Sequence, residues 1–290
     1  MRKTGIILLC LMIIISLSGC QQSNNNAQVV ATTQPVYDFT VAICDGTDIS
    51  IAKLVTENVS CLHDYTLQVS QMRAIENAEV IILSGAGMED FLDDALLNNK
   101  KSINCSQGIE LICTDEDHSH EGHKHETDAH IWLSPANAAI MAKNIANALS
   151  NIYPDQQEVF QQNLAILEDS LQEISDYAKS QLDTLSCRNI ITFHDGFSYM
   201  AQAFDLNIIH AIEEDSGSEA SAAELINITK LVKENHLPAI FTECNGSTSA
   251  AQIISNETDA KIYALDMGLS ERNYFDAMMY NIAILKEALE

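Results

Sequence analysis

The stretch DQQEVFQQNLAILEDSLQEISDYAKSQLDTL, residues 155–185, decides how the rest of the chain is read. Apolar residues recur in it at Phe160, Leu164, Leu167, Leu171, Ile174, Ala178, Leu182 and Leu185. Gaps of three and four sustained over this length predict one helix with a single buried stripe. At the standard rise it extends about 45 Å, the width of a small protein. A helix that long serves as a spine between two bodies better than as a core element of one.

On either side of it the pattern changes to short apolar runs alternating with amphipathic segments. Residues 80–83 (VIIL) read as a buried strand, followed by SGAG and a predicted helix, MEDFLDDALL. Residues 189–193 (NIITF), 238–243 (PAIFTE) and 261–265 (KIYAL) read as three more strands. Ser221 and Glu224 stand at capping-box spacing and open a helix running to about Asn235. This alternation predicts an α/β fold of two lobes, each a mainly parallel sheet flanked by helices, joined by the one long spine helix. The expected divisions are residues 29–154 for the first lobe, 155–186 for the linking helix and 187–290 for the second lobe.

The N-terminus sets the compartment. Arg2 and Lys3 precede an almost wholly apolar run that is too short to span a bilayer comfortably, and Leu17-Ser18-Gly19-Cys20 closes it. That is an export signal over residues 1–19. LSGC resembles a bacterial lipobox, which implies cleavage before Cys20, lipidation of its thiol and an extracytoplasmic chain anchored to the cell membrane. Residues 20–28 then form a lipidated polar tether. The chain carries 41 acidic against 15 basic residues, a formal net charge of −26. This excludes nucleic acid and anionic lipid surfaces as partners and favours cations. Six cysteines lie beyond Cys20 (Cys44, Cys61, Cys105, Cys113, Cys187, Cys244) without any CxxC, so they read as structural or unpaired.

Ligands of open α/β sheets bind beyond the carboxyl ends of the strands. His194 follows NIITF, Glu243 ends PAIFTE and Asp266 follows KIYAL, so three potential metal ligands share one rim. In the first half, His130 precedes IWLSP and His63 lies in CLHDYTL after a predicted strand and turn. His210, after a strand-like run, and His236, closing a helix, read as packing or surface residues. Five of the nine histidines fall between His118 and His130.

Several segments, taken in order, resemble the metal-specific substrate-binding lipoproteins of bacterial ABC importers, the zinc and manganese uptake family. They are VVATTQPVYDFTVAI, IENAEVIILSGAGMEDFLDD, DAHIWLSP, FHDGFSYMAQAF, IFTE and YFDAMMYNIAILKEAL. The resemblance implies a metal site made by His63, His130, His194 and Asp266, two ligands from each lobe, and it chooses Asp266 over Glu243. Three imidazoles and a carboxylate suit tetrahedral Zn2+. Mn2+ is the alternative ion; it prefers oxygen donors, and manganese members tend to carry a carboxylate where this chain has His194. Two departures stand out. Cys61-Leu62-His63-Asp64-Tyr65 lacks the proline the family commonly places before its first ligand, and Met267 stands where a proline often follows the last. Glu243 and Asp64 are therefore kept as reserve ligands.

The resemblance further implies capture of zinc outside the membrane and delivery to an ABC permease and its ATPase by a monomeric chain that is not an enzyme. The histidine-rich stretch, residues 115–128, has no strand or helix pattern to order it. His118, His120, His123 and His125 read as accessory metal ligands, because ordering such a loop opposes tight binding. The residues alone leave open a metallohydrolase, although no HExxH appears, and an adhesin-like surface role.

Overall fold

The runs at residues 29–31, 80–83, 189–192 and 239–243 become strands largely buried on both faces, as the centre of a parallel sheet requires. The computed structural model describes residues 26–57, 62, 65–96, 101–113, 127–212 and 221–290. The signal, Cys20, Cys61, His63, Asp64 and the histidines from His118 to His125 lie outside the described residues. In chain order the strands are β1 (Val29–Ala31), β2 (Ile51–Lys53), β3 (Val80–Leu83), β4 (Lys101–Asn104), β5 (Asn189–Thr192), β6 (Asn207–Ala211), β7 (Ala239–Glu243) and β8 (Lys261–Leu265). The helices are α1 (Gln34–Ile43), α2 (Val69–Asn77), α3 (Asp93–Leu96), α4 (Pro135–Ile152), α5 (Gln157–Leu182), α6 (Ser198–Ala203), α7 (Ala222–Glu234), α8 (Ser249–Glu257) and α9 (Tyr274–Leu289).

The strands form two parallel four-stranded sheets, ordered β2-β1-β3-β4 and β6-β5-β7-β8. The two orders are the same topology repeated, and they bear out the two-lobe α/β expectation. Side chains of period two divide each strand between two cores. Val29, Ala31, Val80, Ile82, Ile190 and Phe241 face one large core that runs through both halves of the molecule. Val30 and Ile81 instead pack outward with Leu54 and Ile75, while Ile191 and Ile240 pack outward with Ile228 and Ile254.

The spine forms as α5, 26 residues long. Phe160, Leu164, Leu167, Leu171, Ile174, Ala178 and Leu182 are all buried along one stripe, each contributing about 1.5–3 kcal/mol for the larger side chains. The stripe lies against α1, α4 and α9. Polar ties fix the helix lengthwise: Asn163 Nδ2 donates to the carbonyls of Ile43 and Asp45, both at 2.9 Å, and Lys286 Nζ donates to Gln181 Oε1 at 2.9 Å. Leu185 lies beyond the helix and packs on the same core.

Three further bonds join the halves directly. Asp38 Oδ2 in α1 accepts from the backbone N–H of Tyr274 at 2.7 Å, Tyr274 Oη donates to the Trp132 carbonyl at 2.9 Å, and Trp132 Nε1 donates to the Met267 carbonyl at 2.7 Å. The Phe39 and Tyr274 rings meet edge to face with centroids 4.8 Å apart. A shared core with buried hydrogen bonds across it resists a wide hinge motion.

One predicted helix is largely replaced by a turn. In place of a helix through MEDFLDDALL, the chain makes a 3-10 turn at Asp90–Leu92 and the single turn α3. Gly85, Ala86 and Gly87 all take positive φ, at 83, 57 and 89°, so the chain enters the segment in a left-handed run that no helix continues. Glu89 then folds back to accept from the backbone N–H groups of Ser84 at 2.7 Å and Gly85 at 2.9 Å. The helix predicted to open at Ser221 forms as expected, with Ser221 Oγ accepting from the Glu224 N–H at 3.2 Å.

Candidate metal centre

In the second sheet, Thr192 of β5 pairs with Phe241 of β7. Two residues on, the same register sets His194 opposite Glu243. The two side chains meet there, His194 Nδ1 lying 3.2 Å from Glu243 Oε1. Glu243 is 8% exposed, and it is also matched in register with Leu265, the residue before Asp266. The three strand ends singled out in the sequence therefore do share one rim.

From the first half, His130 arrives in the segment before α4. Asp128 holds it twice, accepting from the His130 backbone N–H at 2.8 Å and standing 3.0 Å from Nδ1. Both side chains are fully buried. The His130 and His194 rings then meet edge to face with centroids 5.2 Å apart, so one histidine from each half reaches a common point. Trp132 flanks them, its ring centroid 5.5 Å from that of His130.

An ionised carboxylate only accepts hydrogen bonds. Asp128 and Glu243 therefore each favour the tautomer with hydrogen on Nδ1, which directs the Nε2 lone pair to the other side of each ring. Both Nε2 atoms are buried from solvent. This is the arrangement in which imidazoles serve as metal donors, with a carboxylate behind each ring setting its orientation.

Glycine at 196 is a packing requirement of the same spot. A Cβ there would lie 2.5 Å from Met267 Cε, 2.6 Å from His130 Nδ1 and 2.7 Å from His194 Cδ2. Any side chain at this position would push the two imidazoles apart.

Asp266 is 1% exposed and densely hydrogen-bonded. Oδ1 accepts from the Gly268 N–H at 2.8 Å; Oδ2 accepts from Ser270 Oγ at 2.6 Å and from Arg272 Nη1 at 2.9 Å. Behind it, Asn281 Oδ1 accepts from the Asp266 backbone N–H and Asn281 Nδ2 donates to its carbonyl, both at 2.7 Å. Among the described residues no three His, Cys, Asp or Glu side chains converge closely enough to hold an ion by themselves. The structure thus brings together His130, His194 and Glu243 and holds Asp266 on Arg272.

Sequence reading missed Asp128, Arg272, Ser270 and Gly196. Of these only Asp128 left a local signal, an acid two residues before a histidine. His210 lies within β6, and His236 follows α7 with φ at 50°. Among the described cysteines, Cys44, Cys105, Cys113, Cys187 and Cys244 are not disulfide-bonded.

The resemblance seen in the sequence extends to known proteins. "Zinc-binding lipoprotein AdcA" of Streptococcus pneumoniae (strain ATCC BAA-255 / R6) is 28% identical over 310 residues, covering 100% of this chain and 62% of its own length. The chain thus spans under two thirds of that relative. Among solved structures, "Crystal structure of ZnuA" superposes with a TM-score of 0.80 at 28% identity, covering 91% of this chain and 100% of that one. "Crystal structure of Zn(II)-bound AdcA from Streptococcus pneumoniae" superposes with a TM-score of 0.76 at 28% identity, covering 91% and 58%. Residues 29–288 match the family described as "Zinc-uptake complex component A periplasmic". Its members are transport components and not enzymes, and this chain, matched from the first residue of β1 to the last turn of α9, belongs to that family.

Proposed function

We propose that the chain captures zinc outside the cytoplasmic membrane and delivers it to an ABC permease driven by its ATPase. The ion is held by His63, His130, His194 and Asp266 between the two halves. The observation that carries this reading is the meeting of His130 and His194 from opposite halves, each with its Nδ1 set by a carboxylate so that Nε2 is the donor. Leu62, the residue before His63, is buried and lines a small pocket together with Leu269, three residues after Asp266. This supports His63 and Asp266 as the remaining pair. In that arrangement Glu243 orients His194 from behind and is not itself a ligand.

Imidazole donors favour zinc over manganese, an ion that selects oxygen-rich sites. Ligation requires neutral imidazoles, so capture weakens as pH falls through the imidazole range. The many carboxylates, giving a formal net charge of −26, concentrate cations near the chain. Cys20 carries the lipid that keeps it at the membrane. His118, His120, His123 and His125 collect further zinc weakly, as accessory ligands.

The deciding experiment is zinc titration by chelator competition on wild type and His194→Ala. Loss of one ligand lowers affinity by at least about 100-fold; unchanged affinity removes His194 from the site. Deleting residues 117–126 leaves the tight site intact and removes only weaker equivalents, and loss of tight binding in that variant refutes the division of labour.

A further inference from the structure

Arg272 reaches from the surface to a carboxylate that is otherwise sealed from water. Its side chain is 40% exposed, whereas that of Asp266 is 1% exposed. The guanidinium is held on three sides. Its Cζ lies 4.1 Å from the centroid of the Tyr280 ring, Nη1 lies 3.8 Å from Cys244 Sγ, and the same Nη1 donates to Asp266 Oδ2 at 2.9 Å. The loop that delivers it is pinned as well, with the Arg272 N–H donating to Ser270 Oγ at 3.0 Å and Ser270 Oγ donating to Oδ2. A carboxylate offers about four acceptor positions, and with the Gly268 N–H three of them are in use on Asp266. Such a contact is built, not incidental.

We propose that Arg272 is an internal counter-cation for Asp266, competing with the captured metal for this carboxylate and thereby setting how tightly the site holds its ion and how fast it lets go. The inference rests on the reading of Asp266 as a ligand. A buried carboxylate without a partner is strongly unfavourable, so the guanidinium stabilises the empty protein. When a divalent cation reaches Asp266 the balance reverses. Oδ2 is already polarised toward the guanidinium, which makes the carboxylate a weaker donor, and two cations on one carboxylate repel in a poorly screened setting. Arg272 therefore stabilises the empty state and destabilises the loaded one. A carrier that must hand its ion to a permease benefits from both effects.

The test uses the mature chain as wild type, R272Q, R272K and D266N. Zinc affinity is measured by chelator competition, release by mixing the loaded protein with excess chelator, and thermal unfolding with and without zinc. R272Q removes the positive charge; it binds zinc about ten-fold tighter or more, because the repulsion and the competing bond are both gone. It also releases zinc more slowly. Its zinc-free form melts below wild type, and the rise in Tm on adding zinc is larger than in wild type. A purely structural role for Arg272 would lower the melting temperature without tightening zinc. R272K restores the charge and brings the affinity back toward that of wild type. R272Q binding that is unchanged or weaker overturns the proposal, and so does an R272K variant as tight as R272Q. D266N separates the two levels of inference. If D266N leaves zinc affinity intact, Asp266 is not a ligand and the parent reading fails. If D266N weakens zinc while R272Q fails to tighten it, only the role given to Arg272 fails.

Discussion

The two sheets carry different chemistry at the same topological place. In the first, Ala31 of β1 pairs with Ile82 of β3, and two residues on Thr33 and Ser84 meet with their hydroxyl oxygens 2.9 Å apart. In the second, Thr192 of β5 pairs with Phe241 of β7, and two residues on His194 and Glu243 meet at 3.2 Å. Both pairs occupy the crevice where the strand order reverses, the usual ligand position of such sheets. The first lobe closes its crevice with hydroxyls and with Glu89, whose carboxylate is consumed by Ser84 N–H, Gly85 N–H and the Thr32 hydroxyl. The second leaves its carboxylate to orient an imidazole. Topology therefore marks where a site can be made, and the side chains at two register positions decide whether one is. The first lobe supplies its histidine from elsewhere, through His130 and its own carboxylate, Asp128.

The contrast can be broken most forcefully at Glu89. Truncation by E89A leaves two buried backbone N–H groups and a buried hydroxyl without their acceptor. We expect a loss of about 3 kcal/mol of stability, read by urea denaturation, with zinc affinity of the folded protein unchanged. A large loss of affinity at full stability would make Glu89 part of the site and erase the distinction between the lobes. The orienting carboxylates come next. D128A removes an acceptor that holds both the ring and the backbone of His130, and zinc affinity should fall about 10- to 100-fold. E243A should fall toward the lower end of that range, about 10-fold, because its pair is longer and less deeply buried. An E243A loss as great as that of His194→Ala would promote Glu243 from orienting residue to ligand.

How much of this was legible depends on how local the cause was. The spine was legible because its seven buried residues repeat within one segment. Strands β3, β5, β7 and β8 were legible as short apolar runs, whereas β2 (IAK) and β4 (KSIN) were not, because each is a short edge strand with too few apolar residues to stand out. The helix expected over MEDFLDDALL failed because its fate is set by Glu89 turning back onto Ser84 and Gly85, and by three consecutive positive φ angles before it. At the metal centre, His194 and Glu243 were each visible as strand-end residues, but their pairing depends on the β5–β7 register, which no local pattern encodes. Asp128 was hidden by its setting: it lies at the end of a histidine-rich run whose density drew attention away from the one acid that fixes His130. Arg272 on Asp266 had no local signature at all, since a loop of this length can place its arginine anywhere.

The smallest expected effect tests whether Glu89 is a sealed neutral group or a held anion. Burial pushes the Glu89 carboxyl above the ordinary glutamate value, while the bonds from Thr32, Gly85 and Ser84 pull it down without cancelling the rise. The folded protein therefore binds this proton more tightly than the unfolded chain does. Linkage fixes the sign: the associated stability is fully present below the unfolded glutamate value, is lost as pH rises through the folded one, and is flat above it. Cys105, the other titratable group facing Glu89, is pushed well above the usual thiol range by its own burial and then by Glu89. It stays neutral throughout this window and adds no slope. E89Q cannot titrate, so subtracting its stability from that of wild type at each pH cancels the other carboxylates. Urea denaturation of both proteins in a series from acid to neutral pH should show the wild-type advantage shrinking as pH rises from the ordinary glutamate range. An advantage that instead grows with pH would mean that the two backbone N–H groups outweigh burial and hold Glu89 as an anion. The first lobe would then hold a charge at its switch point on backbone N–H groups, where the second sets Glu243 against a histidine.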